Sequence, residues 1–467
     1  MGSNRYQRRQ ILAGLSSAAV MAVSPGMAAT TGRGAGRPDI IFIMADDLGY
    51  ADLSSTGSHH IKTPAIDSIG RDGIQLSQGY SSSPVCSPTR TALLTGCYPH
   101  RFKAGIEEPI GLDAPRDLGV PLERPTIASV MKTLGYHTKL IGKWHLGNPP
   151  LHGPLQHGYD EFLGIVDGAA DYFRHHMVVG NREVGMGLAR NDSEIGAEGY
   201  LTDMFGDEAV KTIEAASDKP LFISLHFTAP HWPWEGREDA EVARMLHNSG
   251  HVDGGSLAKY KEMVEAMDQN VAKVLDALDR AGRAENSIVI FTSDNGGERF
   301  SETWPFIGQK GELLEGGIRV PILVRWPQQI ANGSRSDQVM ASMDFLPTLL
   351  AMVGGDSARA GAFDGMDLSA QLTGKAAAVE RTLFWRFNAS GQAAVRQGDW
   401  KYLMLGGKEH LFNLVEDSRE RAERGKAEPA KLEQLRRLWD NWNAEMLPYR
   451  ADSDVSNLKE RPYADRY

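Results

Sequence analysis

The chain has 467 residues, 41% of them hydrophobic and 24% charged, with a formal net charge of −10. That length can bury a large core and suits two domains, and the ordinary apolar and charged fractions argue against disorder. The acidic balance argues against nucleic-acid binding, so a polyanionic substrate would need a local basic pocket. There are only two cysteines, Cys86 and Cys97, in what reads as one turn and helix. A structural disulfide is therefore the minority reading, and the lack of a C-x-x-C pair disfavours a thiol-redox protein. Cys97 reads as a half-buried small hydrophobe.

In chain order, Arg5, Arg8 and Arg9 precede an Ala-rich apolar run from Ile11 to Val23, and small residues follow at Gly26, Ala28 and Ala29. This reads as a secretory signal over residues 1–29, too short to span a bilayer, with no stable membrane insertion after its removal. Arg8-Arg9-Gln10-Ile11-Leu12 resembles a bacterial twin-arginine signal, with a Sec signal or helical anchor as alternatives. The expectation is a periplasmic or secreted protein. Residues 30–37 are Gly-rich and read as a flexible lead.

Asp39–Met44 is a continuous apolar run, as expected of a central strand in a parallel sheet. It runs into Asp46-Asp47-Leu48-Gly49-Tyr50, an acidic pair at the strand end where such sheets place their ligands. Either a solvated turn or a divalent cation would relieve the repulsion of that pair. A helix is expected over 64–73. Next comes Cys86-Ser87-Pro88-Thr89-Arg90, running into Leu94-Thr95-Gly96. Ser87 or Thr89 can cap a helix here, which places Cys86 at an anion-friendly N-terminus and Arg90 on the same face.

A helix over 126–134 leads into a strand ending at Lys143-Trp144-His145-Leu146-Gly147, and strand alternation would put Lys143 and His145 on one face. His152 and His157 read as loop structure. A helix over 201–215 precedes the buried run Leu221–Leu225, which leads to Ala229-Pro230-His231-Trp232-Pro233-Trp234. Trp232 and Trp234 suit either a stacking wall or core packing. A long helix over 257–281 precedes the run Ser287–Thr292, which ends in Ser293-Asp294-Asn295-Gly296-Gly297. Asp294 and Asn295 are oxygen donors suited to a hard cation, with no His/Cys cluster pointing to zinc. Gly308-Gln309-Lys310-Gly311 and Glu315-Gly316-Gly317-Ile318-Arg319 follow, then a strand at 322–327. Beyond about residue 360, short strands near 383–386, 393–396, 400–405 and 410–414 precede a helix carrying Leu432, Leu435, Leu438, Trp439 and Trp442.

The strand–helix alternation indicates an α/β fold, a three-layer sandwich with a mostly parallel central sheet over 38–358. A small C-terminal antiparallel-sheet-and-helix subdomain is expected over 359–467. The five strings C-S-P-T-R, D-D-L-G-Y, G-K-W-H-L-G, A-P-H-W-P and G-Q-K-G…E-G-G-I-R together closely resemble the motifs of the sulfatase family, in family order. The resemblance covers most of the mature chain and implies an alkaline-phosphatase-like fold and hydrolysis of a sulfate ester. It further implies that Cys86 is oxidised to formylglycine by a formylglycine-generating enzyme and acts as a diol nucleophile through a covalent sulfo-enzyme intermediate. One Ca2+ would be held by Asp46, Asp47, Asp294, Asn295 and the modified Cys86. Arg90 and Lys143 would hold the diol, His145 would take its second proton, and Lys310 and His231 would bind sulfate and assist the leaving alcohol. The substrate would be a sulfated glycan or small molecule such as an aryl sulfate. A phosphodiesterase or phosphonate monoester hydrolase of the same superfamily, and a non-catalytic exported binding protein, stay open as alternatives. Specificity loops are expected around 102–123, 167–199 and 232–256.

Overall fold

The strand Asp39–Ala45 is buried along its whole length. Side-chain alternation sends Ile41, Ile43 and Ala45 into one apolar layer and Ile40, Phe42 and Met44 into the other. A strand with two apolar faces needs cover on both sides, and helices supply it. Pro64–Arg71, Leu201–Glu214 and Leu257–Arg280 cover the first face through Ile66, Phe205 and Val264. Cys86–Thr95, Ile127–Thr133 and Phe345–Met352 cover the second through Leu93, Met131 and Leu349.

The computed structural model describes residues 36–449 apart from 216–217, 251–253 and 358–359. The expected signal over 1–29, nearly all of the 30–37 lead and the expected boundary at 358/359 lie outside the described residues. No described helix is long and apolar enough to cross a membrane.

Asp39–Ala45 pairs in parallel with Leu221–His226 on one side and Ser287–Ser293 on the other. His137–Gly142 and Glu161–Gly164 continue the parallel set. Ile322–Arg325 then Ile74–Leu76 join antiparallel beyond Ser287–Ser293. Ser334–Ser336 closes one edge of the ten-stranded sheet and Ala189–Arg190 with Ser193–Glu194 the other. A separate four-stranded antiparallel sheet follows, in the order Thr382–Phe387, Gln392–Gln397, Trp400–Leu405, Lys408–Asn413. The helix Pro429–Asn443 packs Leu435 against its Val395 and Tyr402. The three-layer α/β architecture with a small C-terminal antiparallel sheet is therefore as the sequence pattern indicates.

Three local expectations are corrected. The strand ends at Gly142, so Lys143 and His145 are placed by a turn and not by strand alternation. Gly142 has φ 113°, and a Cβ there would lie 1.8 Å from the His226 carbonyl oxygen. Only glycine lets the chain leave the sheet at that point. Helix Cys86–Thr95 has Val85 as its N-cap, and neither Ser87 nor Thr89 caps it. Thr89 Oγ1 instead donates to the Ser83 carbonyl at 2.9 Å, and Ser87 Oγ accepts from the Ile110 N–H at 2.9 Å. These hydroxyls tie the buried helix to the loops around it. Cys97 is fully buried, with Arg124 Nη2 at 3.0 Å from its Sγ, and both cysteines are free thiols.

Candidate active site

Four neighbouring parallel strands deliver chemistry to one edge of the sheet. Asp46 and Asp47 follow Asp39–Ala45, and Asp294 and Asn295 follow Ser287–Ser293. Lys143 and His145 follow His137–Gly142, and His231 lies beyond Leu221–His226. The N-terminus of helix Cys86–Thr95 brings Cys86 to the same edge, and a glycine-flanked loop brings Lys310. All ten candidate residues are buried. Lys310, which its loop context would also allow as a mobile surface residue, is held in place at the carboxylate pair.

Cys86 Sγ lies 3.5 Å from Asp46 Oδ1 and 3.9 Å from Asp47 Oδ1. Lys143 Nζ donates to Asp46 Oδ2 at 2.6 Å, and Lys310 Nζ donates to Asp47 Oδ2 at 2.6 Å. Arg90 donates through Nε (3.1 Å) and Nη2 (2.8 Å) to Asp294 Oδ2, and through Nη1 to the Lys143 carbonyl at 3.1 Å. His231 Nε2 sits 3.5 Å from Asp47 Oδ2. Asp47 and His145 adopt φ of 65° and 58°, a region costly for residues other than glycine and tolerated best by Asp and Asn.

Burial strongly favours neutral forms here, and neighbouring charges oppose or reinforce it. Burial pushes the Cys86 thiol well above its usual range, although Lys143 and Lys310 pull the other way. Burial would also raise Asp47, but Lys310, His231 and Lys143 together hold its carboxyl well below the usual range. Burial and repulsion from Asp46 push Asp294 up to about 7, against the attraction of Arg90. Burial, then adjacent lysines, push both His145 and His231 well down, with Asp47 opposing this at His231.

Their tautomers follow from their partners. His145 Nε2 meets the Ile110 carbonyl at 2.9 Å, and a carbonyl only accepts, so Nε2 carries the proton. That leaves His145 Nδ1 as a bare, buried acceptor with no protein partner. His231 Nδ1 likewise donates to the Trp232 carbonyl at 2.8 Å, which leaves Nε2 toward Asp47 and the cavity. One imidazole nitrogen on each residue is thus placed to accept a proton.

The site also suits a hard divalent cation. Ligand atoms of Asp46, Asp47, Cys86 and His231 lie within 4.8 Å of one another. Asn295 Nδ2 reaches Asp47 Oδ1 at 2.8 Å, and its Oδ1 is buried without a partner. An orphaned amide oxygen beside carboxylates is a donor of the kind a hard cation coordinates. Three acidic side chains, Asp46, Asp47 and Asp294, face three basic ones, Lys143, Lys310 and Arg90. A divalent cation would leave the site net positive, as an anionic ester requires.

Above this floor opens a cavity of about 380 Å³. Segments 108–113, 166–169 and 231–232, with Met177, form its walls, so all three expected specificity loops reach it. Trp232 lines the cavity, whereas Trp234 is core, edge-on to Phe300. His152 and His157 stack on each other away from the cavity, and His157 lies against Trp144, as loop structure. Sequence reasoning missed Ile110, whose carbonyl sets the His145 tautomer, and Asn148, Asp113, Asp167 and Glu298 on the walls. No local pattern marks them, because they reach the cavity only through the fold.

The Sulfatase family profile matches residues 38–355. The chain is 30% identical to mouse (Mus musculus) steryl-sulfatase over 77% of its own length and 69% of that protein's. It is also 30% identical to mouse N-acetylgalactosamine-6-sulfatase over 78% and 71% of the two chains. The crystal structure of Ps i-CgsB in complex with k-i-k-neocarrahexaose superimposes with a TM-score of 0.80 at 29% identity, covering 90% of this chain and 96% of that one. A cysteine at a buried helix start, against paired carboxylates and ringed by fixed cations, thus sits in a chain whose likeness runs through the whole catalytic sheet, and the chain belongs to the sulfatase family, enzymes that hydrolyse sulfate esters.

Proposed function

We propose that the chain hydrolyses the sulfate ester of a carbohydrate, with Cys86 matured to formylglycine and Ca2+ held by Asp46, Asp47, Asp294 and Asn295. The observation that carries this reading is the position of Cys86, buried at a helix start 3.5 Å from Asp46 and open to the cavity beside Lys310 and His231. A resting thiol kept neutral by burial is a poor nucleophile, which favours its conversion to another group. The oxygen-rich donor set, with its orphaned Asn295 oxygen, favours calcium over softer metals. The carbohydrate assignment draws on Trp232 in the cavity wall and on the sugar-bound structural relative.

When bound, the cation and the hydrated formylglycine supply Lewis-acid polarisation of the sulfate and a hydroxyl nucleophile. The chain's own residues do the rest. Arg90 orients Asp294 and, through the Lys143 carbonyl, holds the turn that carries Lys143. Lys143 and Lys310 face the developing negative charge from fixed positions, so they need no reorganisation as it forms. His231 Nε2, its ring fixed by the Trp232 carbonyl, faces the cavity and, once the ring is protonated to the imidazolium, is placed to hand that proton to the leaving alcohol oxygen. His145 Nδ1 is the acceptor for the proton released when the enzyme is regenerated. Export through a twin-arginine signal suits a chain that is folded and modified before leaving the cytoplasm.

Peptide mass spectrometry on the Cys86 fragment of protein from its native host tests this. Conversion of thiol to aldehyde lowers the residue mass by roughly 18 Da. An unmodified thiol in folded, exported protein would overturn the mechanism. Hydrolysis of 4-nitrophenyl sulfate in preference to bis(4-nitrophenyl) phosphate separates a sulfatase from a diesterase.

A further inference from the structure

The cavity is electrostatically two-ended. Its floor carries the cations, but among the described residues Lys310 is the only lysine or arginine that lines it, and Lys310 is bound to Asp47. The walls carry acidic groups instead: Asp113, Asp167 and Glu298, together with Glu108, whose carboxyl burial pushes up to about 8. Asp113 stands three residues beyond Ile110, whose carbonyl holds His145. Asp167 precedes Gly168, which packs so closely on His145 that a Cβ would lie 2.5 Å from its ring. Both carboxylates therefore leave segments that touch the His145 imidazole, and both line the cavity into which His231 also faces. Asp167 is held in place because its Oδ2 accepts from the Met186 N–H at 3.0 Å. Glu298 Oε2 lies 3.8 Å from Lys310 Nζ and marks the border between the two ends.

Carboxylates arranged this way accept hydrogen bonds from hydroxyl or ammonium groups and repel a second anion. From this, and resting on the sulfatase reading, we infer that Asp113 and Asp167 make the enzyme selective for a singly sulfated leaving group that is neutral or cationic. A neutral sugar or a free amino sugar fits. A second sulfate or a uronate carboxylate beside the scissile ester is rejected.

The test uses three matched probes on matured enzyme: 4-nitrophenyl sulfate, and its ring-substituted analogues bearing an aminomethyl or a carboxylate group meta to the sulfate. The carboxylate probe is expected to have a kcat/KM at least about tenfold below the other two, by like-charge repulsion from half-buried Asp167 and exposed Asp113. In Asp113→Asn/Asp167→Asn that gap should shrink to about threefold or less, and added salt should narrow it in the parent enzyme. Equal kcat/KM for all three probes, or a gap unchanged in the double variant, overturns the inference while leaving the sulfatase reading intact. Absence of turnover on every probe by protein with converted Cys86 counts against the sulfatase reading instead. The same probes read by calorimetric binding then still decide the charge preference.

Discussion

Gln392, on the second strand of the C-terminal sheet, clamps Gly311 of the loop that carries Lys310: its Nε2 donates to the Gly311 carbonyl at 2.9 Å, and its Oε1 accepts from the Leu313 N–H at 2.9 Å. Gly311 N–H in turn donates to the Pro84 carbonyl, two residues before Cys86. One buried amide thus ties the C-terminal sheet to the loop that presents Lys310. Gln392→Ala leaves two buried backbone groups unpaired, each worth about 1–3 kcal/mol. We expect kcat/KM on an aryl sulfate to fall about tenfold or more through misplacement of Lys310. In a Lys310→Ala background the same change should cost little further activity. Full additivity of the two losses would show that Gln392 acts on stability alone.

Arg90 is the charge that holds Asp294. Arg90→Ala leaves that carboxylate buried and uncompensated, and should destabilise the protein by about 3–5 kcal/mol in urea or guanidinium titration. Arg90→Lys should recover only part of this. A single ammonium cannot contact both Asp294 and the Lys143 carbonyl as the guanidinium fork does.

Chelation should be felt in both stability and activity. Removing calcium with EGTA is expected to abolish sulfate release and lower the thermal midpoint, with Ca2+ restoring both. At a hundredfold excess over its dissociation constant, a cation bound only by the folded state contributes about 2.7 kcal/mol. Unchanged melting and activity after exhaustive chelation would remove the metal from the mechanism.

Glu108 supplies a pH signature outside the catalytic cluster. Burial pushes its carboxyl up to about 8, against hydrogen bonds from Tyr449 (2.6 Å) and the Asn388 N–H (2.8 Å). Between the usual glutamate range and about pH 8 the folded state keeps this proton and the unfolded state does not. Stability from this group is therefore complete at low pH and is lost as pH rises through 8, with a slope of at most about 1.4 kcal/mol per pH unit. Glu108→Gln, which stays neutral, should flatten the fall in stability between pH 5 and 8. A parent and variant with parallel pH profiles would contradict this.

The strands Asp39–Ala45, Leu221–His226, Ser287–Ser293 and Ile322–Arg325 were legible because each carries an apolar run. Ile74–Leu76, Glu161–Gly164, Ala189–Arg190, Ser193–Glu194 and Ser334–Ser336 were not, being short and mixed or polar. The carboxylates and His231 were legible because they follow apolar runs, and Lys143 because it follows a strand. Cys86, Arg90 and Lys310 were legible as family strings. The placement of Lys143 and His145 was misjudged, since alternation says nothing once Gly142 turns the chain out of the sheet. The hydroxyls of Ser87 and Thr89 were misassigned as caps because Ser83 and Ile110 compete for them in space.

By itself the sequence determined the layered sheet, the edge at which the chemistry gathers and the residue types assembled there, since periodicity and strand-end position are local properties. Only the tertiary structure decided which nitrogen of each histidine is free, which carboxylates wall the cavity and which glutamine steadies Lys310. Those outcomes depend on contacts between segments such as Ile110 with His145 and Gln392 with Gly311, 35 and 81 residues apart, and no local pattern encodes them.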